Sequence, residues 1–183
     1  MTVEEKVKKR HAAADRLLKD SGLIEVLKKH GQVIFTGSYQ YNLILTPDID
    51  VYVVVDKPSR KLATKLLNEL IEEGWWQNYE LGDFFQKKFR TPKWDWLPKG
   101  IYLQAKTDFE DERWKVDIWM VDSKEQKYVS WNDQLGRITP EERAAILQLK
   151  NERIQKKIEC TVHEIYEAVL YKRVRDIEGL RKV

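Results

Sequence analysis

The sequence predicts a mixed α/β fold in which helices pack on a β-sheet. Short runs of β-branched and aromatic residues alternate with longer amphipathic segments, and turn residues separate the two kinds. Of the 183 residues, 42% are hydrophobic, which is enough for a buried core, and 34% are charged, which indicates a globular chain rather than a disordered one. We therefore expect a mixed sheet with flanking helices, followed by C-terminal helices.

The N-terminal part predicts two helices and then a strand, a short helix and a second strand. Apolar residues recur at helical spacing over residues 3–20, and a second helix, Leu23–His30, is stopped by Gly31. The next three elements are the strand Val33–Thr36, a helix over Tyr39–Leu45 and the β-branched strand Asp48–Val55. Pro47 ends the short helix, because proline has no backbone N–H and restricts the residue before it.

The middle of the chain predicts one helix and four further strands. The helix begins at Pro58-Ser59, continues to Glu73 and is closed by Gly74. The strands are Trp75–Leu81, Phe84–Arg90, Ile101–Thr107 and Trp114–Val121. Polar or proline-containing links separate these strands, which is typical of hairpins in a mixed sheet.

The C-terminal part predicts helices. Residues 139–142, Thr-Pro-Glu-Glu, combine a cap residue, a proline in the first turn and a capping-box glutamate. The apolar stripe that follows indicates one long helix, or two helices broken near Cys160. We expect a core with N-terminal helices over residues 1–136 and a helical segment over residues 137–183 that packs on it. An amphipathic helix of this kind also suits the surface of a homodimer, and the sequence leaves the two roles open.

Composition excludes several classes of protein. The single cysteine, Cys160, excludes a disulfide framework and a thiolate metal cluster. The N-terminus MTVEEKVKKR lacks the apolar segment of a secretory signal, and no apolar run has membrane-spanning length, so we expect a cytoplasmic protein without a membrane partner. A net charge of +3 argues against a nucleic-acid partner.

Two carboxylates and a Gly-Ser turn stand close together in the sequence. Asp48 and Asp50 alternate with Ile49 along a predicted strand, so both point to one face, and a divalent cation such as Mg²⁺ would relieve their repulsion. Gly37 and Ser38 lie where the preceding strand gives way to a helix. Free backbone N–H groups, the positive end of the helix dipole, a hydroxyl donor and close approach to glycine favour a bound phosphate at such a turn.

A third carboxylate comes from a later predicted strand, WKVDIWMV. Asp117 lies in the middle of this strand, on the face that it shares with Lys115 and Trp119 and opposite the apolar face. Strands disfavour aspartate, so its presence there indicates a specific role. A metal ion shared with Asp48 and Asp50 would supply that role, although Asp108, Asp111 and Asp122 lie nearby as rivals.

These motifs, GSYQYNLILTPDIDVYV over residues 37–53 and VDIWMV over residues 116–121, resemble those of the polymerase-β-type nucleotidyltransferase superfamily. The resemblance covers roughly residues 31–121 and is strongest to the small bacterial stand-alone members. It implies that Gly37 and Ser38 hold a nucleoside triphosphate and that Asp48 and Asp50 coordinate two Mg²⁺ ions. It also implies that Asp117 binds the catalytic ion and helps to deprotonate an acceptor hydroxyl, which then attacks the α-phosphorus.

Simpler interpretations stand beside these. Asp48 and Asp50 also fit a turn after Pro47, and Asp117 also fits a solvent-facing position paired with Lys115. The segment QKKFRTPKWDWLPKG, residues 86–100, interleaves basic and aromatic residues. It suits a solvated hairpin, or a surface that binds a nucleotide base and phosphates or single-stranded nucleic acid. Lys87, Lys88 and Arg90 are the candidate phosphate ligands.

The leading hypothesis from the sequence is a Mg²⁺-dependent nucleotidyltransferase that moves a nucleoside monophosphate from a triphosphate to a hydroxyl. The candidate acceptors are a small molecule, a protein side chain and an RNA end. A small molecule is the first expectation and a protein side chain, as in the antitoxin-like relatives, the second. The rival hypothesis is a non-catalytic module of the same fold that binds a nucleotide or a partner.

Overall fold

The computed structural model describes residues 1–86, 97–125 and 130–181. In chain order, the helices are α1 (Val3–Asp20), α2 (Leu23–Lys28), α3 (Gly37–Gln40), α4 (Arg60–Glu72), α5 (Ser130–Leu135), α6 (Pro140–Lys156), α7 (Val162–Lys172) and α8 (Ile177–Leu180). The strands are β1 (Gln32–Thr36), β2 (Asp48–Val54), β3 (Asn78–Asp83), β4 (Gly100–Phe109) and β5 (Glu112–Val121). The predicted mixed α/β fold is confirmed.

The five strands form one mixed sheet in the order β1-β2-β5-β4-β3. Neighbouring strands run antiparallel except β2 and β5, which are parallel. A parallel pair requires a long crossover, and here the crossover includes α4 and the β3–β4 hairpin. This topology places β2 in the interior of the sheet, between the strand that precedes the Gly-Ser turn and the strand that contains Asp117.

One face of the sheet is covered by helices. Inward residues of β2, β4 and β5 pack with the buried sides of α1, α2 and α4 in a cluster that includes Leu17, Leu27, Val51, Leu66 and Ile118. The alternation of buried and partly exposed residues along β5 agrees with the predicted apolar face. Asp48, Asp50 and Asp117 consequently lie on the opposite face, away from this core.

A second cluster joins the C-terminal helices to the segment after α3. Buried residues of α6 and α7 pack with Leu43 and Leu45 and with Val7 of α1. The predicted break near Cys160 is present, because Lys157 has a left-handed backbone and Thr161 forms a capping box with Glu164 at the start of α7. The boundary near residue 136 stays a prediction.

Several expected bounds were wrong. The helix expected over Tyr39–Leu45 ends at Gln40, since Asn42 has a left-handed backbone and the apolar residues after it are buried without helical structure. The strand expected at Trp75 begins at Asn78 and continues to Asp83, because pairing with β4 determines it. Residues 84–86 form a turn rather than the start of the strand Phe84–Arg90, and the rest of that strand lies outside the described residues.

Within the described ranges, no helix combines the length and the apolar character that a membrane crossing requires.

Candidate active site

The register of the sheet brings the three aspartates together. Asp50 of β2 is paired with Asp117 of β5 on one side and with Thr36 of β1 on the other. Asp48 lies two residues before Asp50 on β2, on the same face of the strand, and is paired with Lys115. One carboxylate oxygen from each of the three aspartates lies within 4.8 Å of the other two. The structure therefore brings together the three carboxylates that the sequence singled out.

The Gly-Ser turn follows directly from the strand beside Asp50. Gly37 has φ of +65°, and a Cβ atom at this position would lie 2.5 Å from Asp50 Oδ2. Both observations require glycine, because other residues rarely adopt this backbone and a methyl group would displace the carboxylate. The backbone of Gly37 therefore lies directly beside the carboxylate of Asp50.

The acidic cluster holds more negative charge than its surroundings offset. Burial and the neighbouring carboxylates of Asp48 and Asp117 raise the pKa of Asp50 well above its ordinary value. Burial also raises the pKa of Asp48, partly opposed by Lys115. Asp48 Oδ1 is buried and has no hydrogen-bond partner among the described residues. This unpartnered oxygen and the crowded carboxylates fit a divalent cation, which prefers carboxylate ligands.

Lys115 forms ion pairs with two members of the cluster. Its Nζ lies 2.7 Å from Asp117 Oδ2 and 3.2 Å from Asp48 Oδ2. Burial alone would lower the pKa of Lys115, but the carboxylates of Asp48 and Asp117 outweigh it and the net pKa is raised. The sequence placed Lys115 on the same face as Asp117, yet its link to Asp48 depends on the parallel pairing of two distant strands.

The other oxygen of Asp117 is fixed by β4. Tyr102 Oη donates to Asp117 Oδ1 at 2.7 Å, and Gln104 Nε2 donates to the same atom at 2.8 Å. Gln104 is paired with Asp117 in the antiparallel ladder, which places its amide beside the carboxylate. Both oxygens of Asp117 therefore already accept hydrogen bonds from the protein.

A buried lysine from α6 contacts the Gly-Ser turn. Lys150 is 2% exposed, and its Nζ donates to Ser38 Oγ at 2.7 Å and to the carbonyl oxygen of Leu43 at 2.6 Å. Burial lowers the pKa of Lys150 to about 7, although Asp50 and Asp48 act in the opposite direction. Ser38 Oγ also lies 3.1 Å from Tyr166 Oη of α7. The C-terminal helices thus contribute directly to the environment of the turn.

Sequence reasoning missed Lys150 and Tyr166. One signal for Lys150 was available, since it lies four residues after Ile146 and so falls on the apolar face of its helix. A lysine at such a position indicates a specific partner.

The expected source of positive charge at the turn requires correction. Helix α3 has only four residues, so its N-terminus offers little of the dipole that a longer helix supplies. Lys150 provides the positive charge near Ser38 instead. Lys87, Lys88 and Arg90, the other expected phosphate ligands, lie outside the described residues.

Comparisons with known proteins agree with this architecture at the level of fold. The five-stranded mixed sheet with flanking helices is an α/β fold that also occurs in a solved transferase structure. The structure of a cytoplasmic RNA terminal U-transferase superposes on the chain with a TM-score of 0.51 and 17% sequence identity. The superposition covers 90% of this chain and 46% of that one, so the chain spans about half the length of this neighbour. No protein-family model matches the sequence, and no curated protein matches it.

Proposed function

We propose that the protein is a nucleotidyltransferase that transfers a nucleoside monophosphate from a nucleoside triphosphate to a hydroxyl group. The strongest support is that the carboxylates of Asp48, Asp50 and Asp117 lie close together, beside the Gly37-Ser38 turn. Phosphate-binding backbone and cation-binding carboxylates on adjacent elements are what this reaction requires. The likeness in fold to a terminal U-transferase supports the same class of reaction.

In this proposal, the turn and the C-terminal helices hold the triphosphate. The backbone of Gly37 permits close approach, Ser38 Oγ donates to a phosphate oxygen, and Lys150 supplies positive charge. A bound phosphate would raise the pKa of Lys150 and keep it protonated, because an opposite charge nearby favours the charged form.

The carboxylates would hold the divalent cation, with Asp48 Oδ1 as an available ligand. The chemistry that such an ion would supply there is neutralisation of phosphate charge and polarisation of the phosphorus that is attacked. Asp117, held at Oδ1 by Tyr102 and Gln104, would orient the acceptor hydroxyl and accept its proton at Oδ2. The acceptor oxygen would form its bond to the α-phosphorus as the bond to pyrophosphate breaks.

We propose a small molecule as the acceptor, because a net charge of +3 provides little attraction for a long polyanion. A protein side chain is the second candidate. The neighbour in fold acts on RNA, and an RNA end is therefore included in the test as a third acceptor.

The first test is calorimetric titration of non-hydrolysable analogues of the four nucleoside triphosphates, with and without Mg²⁺. The variants are the double substitution Asp48→Asn/Asp50→Asn and the control Asp111→Asn, which changes an exposed aspartate in the β4–β5 turn. We expect at least one analogue to bind only with Mg²⁺, the double variant to lose binding and the control to retain it. Equal binding by the double variant, or no binding by the wild-type protein, would contradict the proposal.

The second test is release of pyrophosphate from the preferred triphosphate in the presence of hydroxyl-bearing small molecules, a protein extract or RNA oligonucleotides. Release that depends on one class identifies the acceptor. Metal-dependent binding without release under any of these conditions would favour the non-catalytic module instead.

A further inference from the structure

Lys115 occupies a place that a divalent cation would otherwise take. Its Nζ lies between the Oδ2 atoms of Asp48 and Asp117, at 3.2 and 2.7 Å. Mg²⁺ binds carboxylate oxygens at about 2.0–2.1 Å, so an ion shared by these two residues would need Asp117 Oδ2, the oxygen to which Lys115 donates. An ammonium group and a divalent ion repel each other at such separations.

Asp117 has no alternative oxygen to offer. Its Oδ1 accepts hydrogen bonds from Tyr102 and Gln104, and its Oδ2 accepts one from Lys115. Lys115 also has a route away from the cluster, because its side chain is 33% exposed. Tyr102 and Gln104 belong to a strand interior, and Gln104 is only 7% exposed. Lys115 is therefore the donor that can leave Asp117 at the least cost.

We propose that Lys115 competes with the divalent cation for Asp48 and Asp117, so that the cation bridges these two carboxylates only when Lys115 has moved to solvent. Asp48 and Asp50 remain able to bind a cation together with triphosphate oxygens, because Asp48 Oδ1 has no hydrogen-bond partner in the part of the chain that the structure describes. The nucleotide would then bind first, with a cation at Asp48 and Asp50. A cation would contact Asp117 only after this step. This inference rests on the proposed function, since it assumes that the cluster binds a divalent cation.

The test measures Mn²⁺ binding without nucleotide, by electron paramagnetic resonance of the free ion. The variants are Lys115→Met, which keeps the length of the side chain and removes its charge, and the control Lys106→Met. Lys106 is paired with Lys115 across the β4–β5 ladder. We expect Lys115→Met to bind Mn²⁺ at least about tenfold more tightly than the wild-type protein, because a competing positive charge is removed. The control should stay within about twofold.

The possible results separate this inference from the proposed function. Suppose that Lys115→Met binds Mn²⁺ no more tightly than the wild-type protein, while Asp48→Asn/Asp50→Asn still abolishes binding. This result would overturn the role of Lys115 but not the cation site. No Mn²⁺ binding by the wild-type protein or by Lys115→Met, with or without a triphosphate analogue, would overturn the cation site itself.

A second measurement uses the wild-type protein, in case Lys115→Met does not fold. Acylation of individual lysines is followed by mass spectrometry before and after addition of Mg²⁺ and a triphosphate analogue. We expect acylation of Lys115 to become faster, because displacement from the carboxylates exposes the amine, while Lys106 changes little. Unchanged acylation of Lys115 at saturating ligand would contradict the proposed competition.

Discussion

Replacing Lys150 by methionine should change how the stability of the protein depends on pH. Lys150 is buried, and burial lowers its pKa from 10.5 to about 7. In the unfolded chain the amine is solvated and keeps its ordinary pKa. Between pH 7 and 10.5 the unfolded state therefore holds a proton that the folded state has released. Stability rises with pH wherever the unfolded state binds more protons, so this lysine makes the wild-type protein more stable as pH rises through that window.

The magnitude follows from the two pKa values. Each fully released proton changes the free energy of unfolding by about 1.4 kcal/mol per pH unit, and Lys150 is about half protonated in the folded state at pH 7. Integration from pH 7 to pH 9 gives about 2 kcal/mol. Because methionine does not titrate, the free energy of unfolding of the wild-type protein, relative to that of Lys150→Met, should increase by this amount. The neutral amine still donates to Ser38 and Leu43, so the bonds themselves persist at pH 9.

Urea unfolding at several pH values from 7 to 9, with a chelator present, measures this difference. Lys156→Met is the matched control, since Lys156 belongs to the same helix and its side chain is 50% exposed. We expect the control to follow the wild-type dependence. Parallel curves for the wild-type protein and Lys150→Met would refute the reasoning, because they would mean that the buried amine keeps its ordinary pKa.

Two further predictions concern the acidic cluster. Gly37→Ala should destabilise the protein more than Gly22→Ala in urea unfolding and should weaken Mn²⁺ binding. Both glycines have positive φ, which costs alanine about 1–2 kcal/mol, but only at position 37 would the added Cβ contact Asp50 Oδ2. Asp50→Asn should raise Tm by at least about 2 °C at pH 7 and by less at pH 4, because the raised pKa of Asp50 makes the wild-type protein lose stability as pH rises. A difference in Tm that does not grow from pH 4 to pH 7 would contradict this reasoning.

Local patterns were sufficient for much of the fold. The predicted helix over residues 3–20 matches α1, because the apolar spacing is regular and Thr2 with Glu5 forms a capping box. Alternation also placed Asp48 and Asp50 on one face of their strand and Asp117 opposite the apolar face of its own strand, and the pairing of β2 with β5 then joined these faces.

Contacts between distant segments of the chain determine the features that local sequence patterns did not predict. Gly82 and Asp83 are poor strand formers, yet they extend β3 because the ladder with β4 includes them. The apolar run after Tyr41 was expected to be helical, but burial against α6 and α7 decides its conformation. The contact between Lys150 and Ser38 joins residues 112 positions apart, and no local signal specifies such a pair.

The same separation along the chain bears on protein synthesis. Ser38 and the Asp48–Asp50 pair leave the ribosome well before Asp117, and Lys150 of α6 and Tyr166 of α7 follow last. Domains are generally made and folded from the N-terminus, so a nascent chain holds part of the acidic cluster before the residues that complete it exist. On the proposed function, a chain synthesised only as far as β5 would bind cation and nucleotide poorly, and full occupancy of the site would require α6 and α7 to have been made and docked.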